Sequence, residues 1–249
     1  MTELAGGDPR YRDDQGGADP AVTAELTAFA AGSGSEHAVL TALAGSRLLV
    51  PIVAVAADEP AGRAPGTGPS AGAGAGGEKG SEMAVPAIVG RDGRQALPAF
   101  TSLAALHAWQ PGARPVPVPA AGVWQSAVQE AQSVIIDIAG PVPVAVEGSR
   151  LAALAAGAPV PLMHEDADVQ AAVAAAAAAQ PPGIRIRLGP PAADADADFT
   201  LELAPAGPAP AQPVPAGAAD AIAQEVAERL AGRLGRGIAV IVRRPGAGA

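Results

Sequence analysis

Apolar positions along this chain recur either at helical spacing or in strict alternation, and the two rhythms predict its elements. At Asp19-Pro20 a capping residue precedes proline at the first helical position, and Val22, Leu26 and Phe29 follow at helical spacing up to Gly32. A second helix is predicted from Ser33, with Glu36 three residues later in a capping-box arrangement. Val39, Leu40 and Leu43 form its apolar face and Gly45 stops it. From Arg47 to Ala56 the run RLLVPIVAVA is almost continuously apolar and β-branched, which predicts a strand covered on both faces. Pro51 inside it argues for an edge position or a bulge.

The stretch from Met83 to Ser102 organises the next part of the chain. Two apolar segments meet there at Asp92-Gly93, the pair favoured in a two-residue type I′ hairpin because both central residues need positive φ. Thr101 or Ser102 then caps a helix carrying Leu103, Leu106 and Trp109. Val116 and Val118 alternate with prolines in an extended segment whose missing amides suit an edge strand. Val123, Trp124 and Val128 lie on a helix running to about Gln132. Val134–Ala139 and Val142–Val146 read as strands joined at Gly140-Pro141, and Ser149 caps a helix with Leu151 and Leu154 that Gly157 closes.

Beyond Ala158-Pro159-Val160-Pro161 the pattern restarts. A helix from Asp166 to Ala179 is acidic at its N-terminus, as the helix dipole favours. Ile184, Ile186 and Leu188 alternate with Arg185 and Arg187, and Phe199, Leu201 and Leu203 alternate with Thr200 and Glu202. Arg185 or Arg187 can then face Glu202 across the strands. Ile222, Val226 and Leu230 mark a further helix, and Ile238–Val242 a final strand. The expected fold is therefore α+β, with two domains that each pack a small mixed or antiparallel sheet against helices. The expected limits are a disordered tail over 1–18, a first domain over 19–157 with a flexible insertion at 58–82, a linker at 158–165, a second domain over 166–245 and a tail over 246–249.

Composition sharpens this picture mainly by exclusion. Aromatic residues make up only 2% of the 249 residues, so Val, Ile and Leu packed on alanine must build the core and each large side chain counts. A formal net charge of −9 argues against nucleic acid as a general partner, which would need a basic footprint. The chain has no cysteine, hence no disulfide framework, thiol nucleophile or thiolate metal site. Its start, MTELAGGDPRYRDDQGG, lacks a basic stretch followed by an apolar core, so no secretory signal is expected. No apolar run approaches the roughly 18 residues of a membrane helix. A soluble cytoplasmic protein is expected, with no membrane partner and no cofactor.

With the elements placed, several phrases point to a family. Leu40–Ala44 runs into Leu48–Val53, and Ile88–Phe100 ends in Pro98-Ala99-Phe100-Thr101-Ser102. The helix through Trp109 and the VIIDIAG stretch from Val134 to Gly140 complete the set. Together they resemble the SseB family (enhanced serine sensitivity protein B) over residues 20–157, and residues 166–243 look like that family's C-terminal domain by pattern alone. The Gly-rich insertion and the alanine drift depart from the family's more compact forms without touching these motifs. The family name records a phenotype, and the resemblance implies no catalytic activity.

Candidate chemistry is sparse. Gly68-Pro69-Ser70-Ala71-Gly72 fits the nucleophile-elbow pattern, and Gly72, Gly74 and Gly77 fit a dinucleotide-loop pattern. Both need a strand before and a helix after, which this Gly-rich insertion does not supply. His37, His107 and His164 fall on separate elements and do not read as a metal set. Asp194, Asp196 and Asp198 open like a calcium loop, but Phe199 stands in the place of its glycine and Pro205 in that of its final glutamate. Asp137, inside a strand, is the candidate pocket carboxylate; the alternative is a structural acid with a donor of its own. Arg91 and Arg94, flanking the Asp-Gly turn, are the candidate interaction residues for an anion or acidic partner; the alternative is a solvated tip. A non-enzymatic protein-interaction or regulatory module with an unknown protein partner is the expected function. The other reading is a small-molecule sensor with a pocket between the two domains.

Overall fold

The computed structural model describes residues 9–56, 81–90, 93–131, 133–180, 182–192, 195–206 and 213–244. Helices and strands over these residues form three small sheets of mixed or antiparallel pairing, an α+β fold. The chain divides into two compact units, one of residues 1–23 and 42–159, the other of 24–41 and 160–249. The segment 24–41, expected in the first domain, thus belongs to the second unit. The insertion expected at 58–82 lies almost entirely outside the described residues, as do both glycine motifs within it.

Two helices open the chain, α1 (Pro20–Ala30) and α2 (Glu36–Ala44). The Asp19 carboxylate accepts from the Ala21 amide at 2.8 Å, as expected for a cap. The start of α2 differs from the sequence reading. Ser35, not Ser33, accepts from Ala38 N–H at 3.2 Å, while the Ser33 hydroxyl donates back to the Ala28 carbonyl. Glu36 is thereby released from capping and is buried elsewhere.

In the first unit β1 (Arg47–Ala56) lies between β2 (Ser81–Ala84) and β5 (Arg114–Pro119). β1 is thus central, although Pro51 suggested an edge. The register explains the tolerance. Leu49 exchanges both its main-chain hydrogen bonds with Phe100, so Arg47, Leu49 and Pro51 all point their amides away from β5. Pro119, Pro117 and Pro115 fall opposite those three residues, where the ladder needs no amide from either strand. The same alternation leaves the open side of β5 without N–H donors, which blunts it as an edge.

A second sheet has the order β3 (Ile88–Val89), β4 (Gln95–Ala99), β6 (Ser133–Ile136), β7 (Val144–Glu147). β3 and β4 do form a hairpin, but not through a two-residue turn. Gly90 pairs with Arg94, and Gly93 donates to the Gly90 carbonyl at 3.0 Å with φ +79. The connection therefore holds three residues, ending in the left-handed glycine that such loops favour. β4 and β6 run parallel, joined through α3 (Leu103–Trp109), β5 and α4 (Ala120–Glu130). Val123 and Trp124 are fully buried on α4, whereas Val128, expected on the same face, is exposed; Ala127 takes that place. α5 (Gly148–Ala155) closes at Gly157, and Ser149 lies within its first turn rather than capping it.

The second unit packs α6 (Ala167–Ala178) and α7 (Ala218–Arg229) over a sheet of order β10-β9-β8, where β8 is Ile184–Gly189, β9 Phe199–Pro205 and β10 Ile238–Val242. Phe199, Leu201, Leu203, Ile222 and Val226 are fully buried at its centre, with Ile184, Ile186 and Leu188 against them. Asp166 caps α6 through the amides of Asp168 and Val169. Arg187 is in register with Glu202 as expected, yet Glu202 is ion-paired with Arg243 at 2.6 Å. Glu36 meets Arg233 at 3.1 Å, and Arg233 also reaches Asp166 at 3.3 Å. Burial pulls the Arg233 pKa down, but the two carboxylates and their hydrogen bonds outweigh it and the net shift is upward.

Candidate functional site

Because β4 and β6 are parallel, their C-terminal ends Ala99 and Ile136 lie side by side, and the next residues of each strand form a site. β4 continues through Phe100 into Thr101-Ser102 and helix α3. Ser102 caps that helix, accepting from Ala105 N–H at 3.1 Å. Thr101 does not share the capping. Its hydroxyl is drawn to β6, which ends one residue before Asp137.

Asp137 stands outside the strand in which the sequence placed it. Its amide still bonds the Ala99 carbonyl at 3.0 Å, but its φ of +49 is left-handed, alone among the described non-glycine residues. Aspartate tolerates this conformation better than most side chains. The Asp137 carbonyl accepts from Gly140 N–H at 2.6 Å, and a Cβ at position 140 would lie 3.0 Å from that same oxygen. A side chain there would press on Asp137, so the turn favours glycine.

With the backbone turned this way, the Asp137 carboxylate points at Thr101. Oδ1 accepts the Thr101 amide at 2.8 Å and Oδ2 accepts the Thr101 hydroxyl at 2.6 Å. Asp137 is 5% exposed and Thr101 8%. Burial raises the carboxyl pKa above its usual value, and the hydrogen bonds from Thr101 only partly counter it. A buried acid in a left-handed conformation is the kind of group that functional sites collect. Here both oxygens are already engaged.

The network extends to residues that sequence reading left out. The Thr101 carbonyl accepts from Arg47 Nη1 at 3.0 Å. Arg47 in turn grips Asp14 with two nitrogens, at 2.6 Å and 3.2 Å, a fork-shaped pair, and donates to the Gly17 carbonyl. Leu103 N–H bonds the Gly16 carbonyl at 2.8 Å. Residues 14–17, read as part of a disordered tail, are thus pinned beside β1 and α3. Sequence offers only an acid and an arginine 33 residues apart, which no local pattern connects.

The arginine pair at the hairpin fares differently. Arg91 lies outside the described residues. Arg94 sits opposite Gly90 and pairs with Glu147 at 2.7 Å on an exposed surface. Among the described residues no three His, Asp or Glu side chains gather as metal ligands. His37 lies near the Pro161 carbonyl and His164 near Glu165. Asp194 is outside the described residues, while Asp198 accepts the amides of Arg236 and Gly237 and Asp196 meets Arg236. The acidic triplet therefore works in part as an anchor for the chain entering β10.

The strand-to-turn phrases that build the network, β1, Pro98–Ser102 and the Asp137 turn, fall inside residues 22–153, which match the family model of the SseB protein N-terminal domain. The chain belongs to the SseB family. The match covers Arg47, Thr101 and Asp137, so the network centred on Thr101 is part of the SseB domain, with Asp14 contributed from outside the matched stretch. It also contains residues 24–41, which fold with the second unit, and it stops before α6 and β8–β10. Neither curated proteins nor solved structures include a match to this chain. No helix among the described residues is long and apolar enough to cross a membrane.

Proposed function

We propose that this SseB-family protein is a non-enzymatic protein-interaction or regulatory module of the cytoplasm. One observation carries the reading. The acid with the most catalysis-like setting, Asp137, commits both carboxylate oxygens to Thr101, whose carbonyl is in turn held by Arg47. A general base must accept a proton from substrate within hydrogen-bond reach, and Asp137, 5% exposed with a Thr101 donor on each oxygen, leaves a substrate little access to either. The network thus works as a clasp between β4, β6 and the N-terminal segment, giving an SseB domain a rigid frame.

Affinity isolation of the full chain from its native cell, followed by mass spectrometry, tests this. Reproducible protein partners retained at physiological salt are expected. A chain that returns no reproducible partner, itself included, would sink the interaction reading.

A further inference from the structure

Open sheet edges are where β proteins pair with other chains, and proteins guard them with proline, charge or shortness. Most edges in this molecule are guarded. β5 exposes a side without amides through Pro115, Pro117 and Pro119. β3 is a two-residue strand. β7 is four residues long and follows Pro141 and Pro143. β8 carries Arg185 and Arg187, so pairing with a second β8 about Ile186 would set Arg185 against Arg187 on one face, an unfavourable match.

β10 is different. Its five residues, IAVIV, contain neither proline nor charge. Arg243 N–H bonds the Leu203 carbonyl and the Gly237 carbonyl accepts from Asp198, so odd-numbered residues face β9. The amides and carbonyls of Ile238, Val240 and Val242 point to the open side, and among the described residues nothing bonds them. Ile241 and Val242 are 36% and 48% exposed.

We propose that β10 is a self-pairing edge through which two copies of this chain associate, a proposal that rests on the interaction reading above. The occupant is argued from register. An antiparallel pair centred on Val240 sets Val240 against its copy, Ile238 against Val242 and Ala239 against Ile241. β-branched residues thus meet on one face, and small meets large on the other. Arg243 falls opposite Gly237, which has no side chain to oppose it. Arg236 and Arg244 meet at the ends, but Arg236 is already engaged by Asp196 and the Ser33 carbonyl. The arrangement is isologous and closes as a dimer, continuing each three-stranded sheet into a joint one. A five-residue edge gives a small interface, so the association is concentration-dependent.

The test is sedimentation of the full chain over a range of concentrations. Wild type should rise from 24.2 kDa toward twice that mass. Val242→Pro removes an outward amide while sparing the bonds to β9, and by symmetry acts twice, so it should weaken association about tenfold. Val242→Lys should do the same without a backbone change. Since the chain has no cysteine, the double variant Ala239→Cys, Ile241→Cys provides a register test. These residues meet as a non-hydrogen-bonded pair, whose closer Cα and Cβ atoms suit a disulfide, and mild oxidation should link the copies, whereas Val128→Cys, exposed on α4, should not link. Wild type that stays monomeric, or both Val242 variants associating as strongly as wild type, would overturn the proposal. A monomer that still retains other partners would defeat self-pairing alone and leave the interaction reading standing.

Discussion

Asp137 accepts both hydrogen bonds that Thr101 can donate, the amide on Oδ1 at 2.8 Å and the hydroxyl on Oδ2 at 2.6 Å. One residue of β6's exit thereby holds the exit of β4. Removing the carboxylate in Asp137→Ala leaves two buried donors unpaired and puts a Cβ in a left-handed position without compensation. The expected loss is on the order of 1–3 kcal/mol for each stranded donor group. Asp137→Gly should be the milder variant by about 1 kcal/mol, because glycine accepts φ +49 freely. Denaturant unfolding of both variants measures the difference.

The same carboxyl makes a signed pH prediction. Its folded pKa is raised above 3.8, chiefly by burial. In the window between the unfolded and folded values the folded state binds more proton, so stability from this group is full below the unfolded pKa and is lost as pH rises through the folded pKa. The stability of wild type relative to Asp137→Asn should therefore grow as pH falls toward 3.8, at no more than about 1.4 kcal/mol per pH unit. A difference that shrank on acidification would contradict the raised pKa.

Asp14 and Arg47 are both largely buried and form a two-point pair. Asp14→Asn should cost about 1–3 kcal/mol and speed amide exchange over residues 12–18. Hydrogen exchange read by mass spectrometry checks this. A truly disordered tail would show no protection there in wild type.

In the second unit Arg233 neutralises Glu36 and Asp166, which are 3% and 1% exposed. Arg233→Met leaves two carboxylates buried together and should destabilise by about 3–5 kcal/mol. Replacing Glu36 and Asp166 by Gln and Asn in the same chain should recover part of that loss. Unfolding monitored in the single and triple variants distinguishes an ion-pair effect from loss of packing.

Arg94 and Glu147 form an exposed pair, and Arg94→Ala should change stability by no more than about 1 kcal/mol. The double variant Arg91→Ala, Arg94→Ala should fold like wild type. If its isolate returns the same partners at the same yield, these arginines are not the contact.

Local patterning determined most elements of this protein, since each needs only its own periodicity and caps. The helix start at Pro20, the Ser102 cap, the prolines of β5 and the alternations of β8 and β9 follow from steric and capping rules within a few residues. The phrase Pro98–Ser102 carried the family for the same reason. What reached beyond a few residues did not show in the pattern. The three-residue hairpin depended on where β3 and β4 took their register. Pro51 became acceptable in a central strand because its missing amide points away from β5 and precedes Val53–Ala56, the stretch that pairs with β2. Glu36 lost its expected capping role because the helix is capped at Ser35, and its burial is possible because Arg233, 197 positions away, compensates its charge. Asp137 was visible as an interesting acid, but its partner, conformation and pKa came from the parallel pairing of β4 with β6. Tertiary structure decided these because ion pairs, buried hydrogen bonds and strand edges are set by which segments meet, and that meeting balances burial over the whole unit.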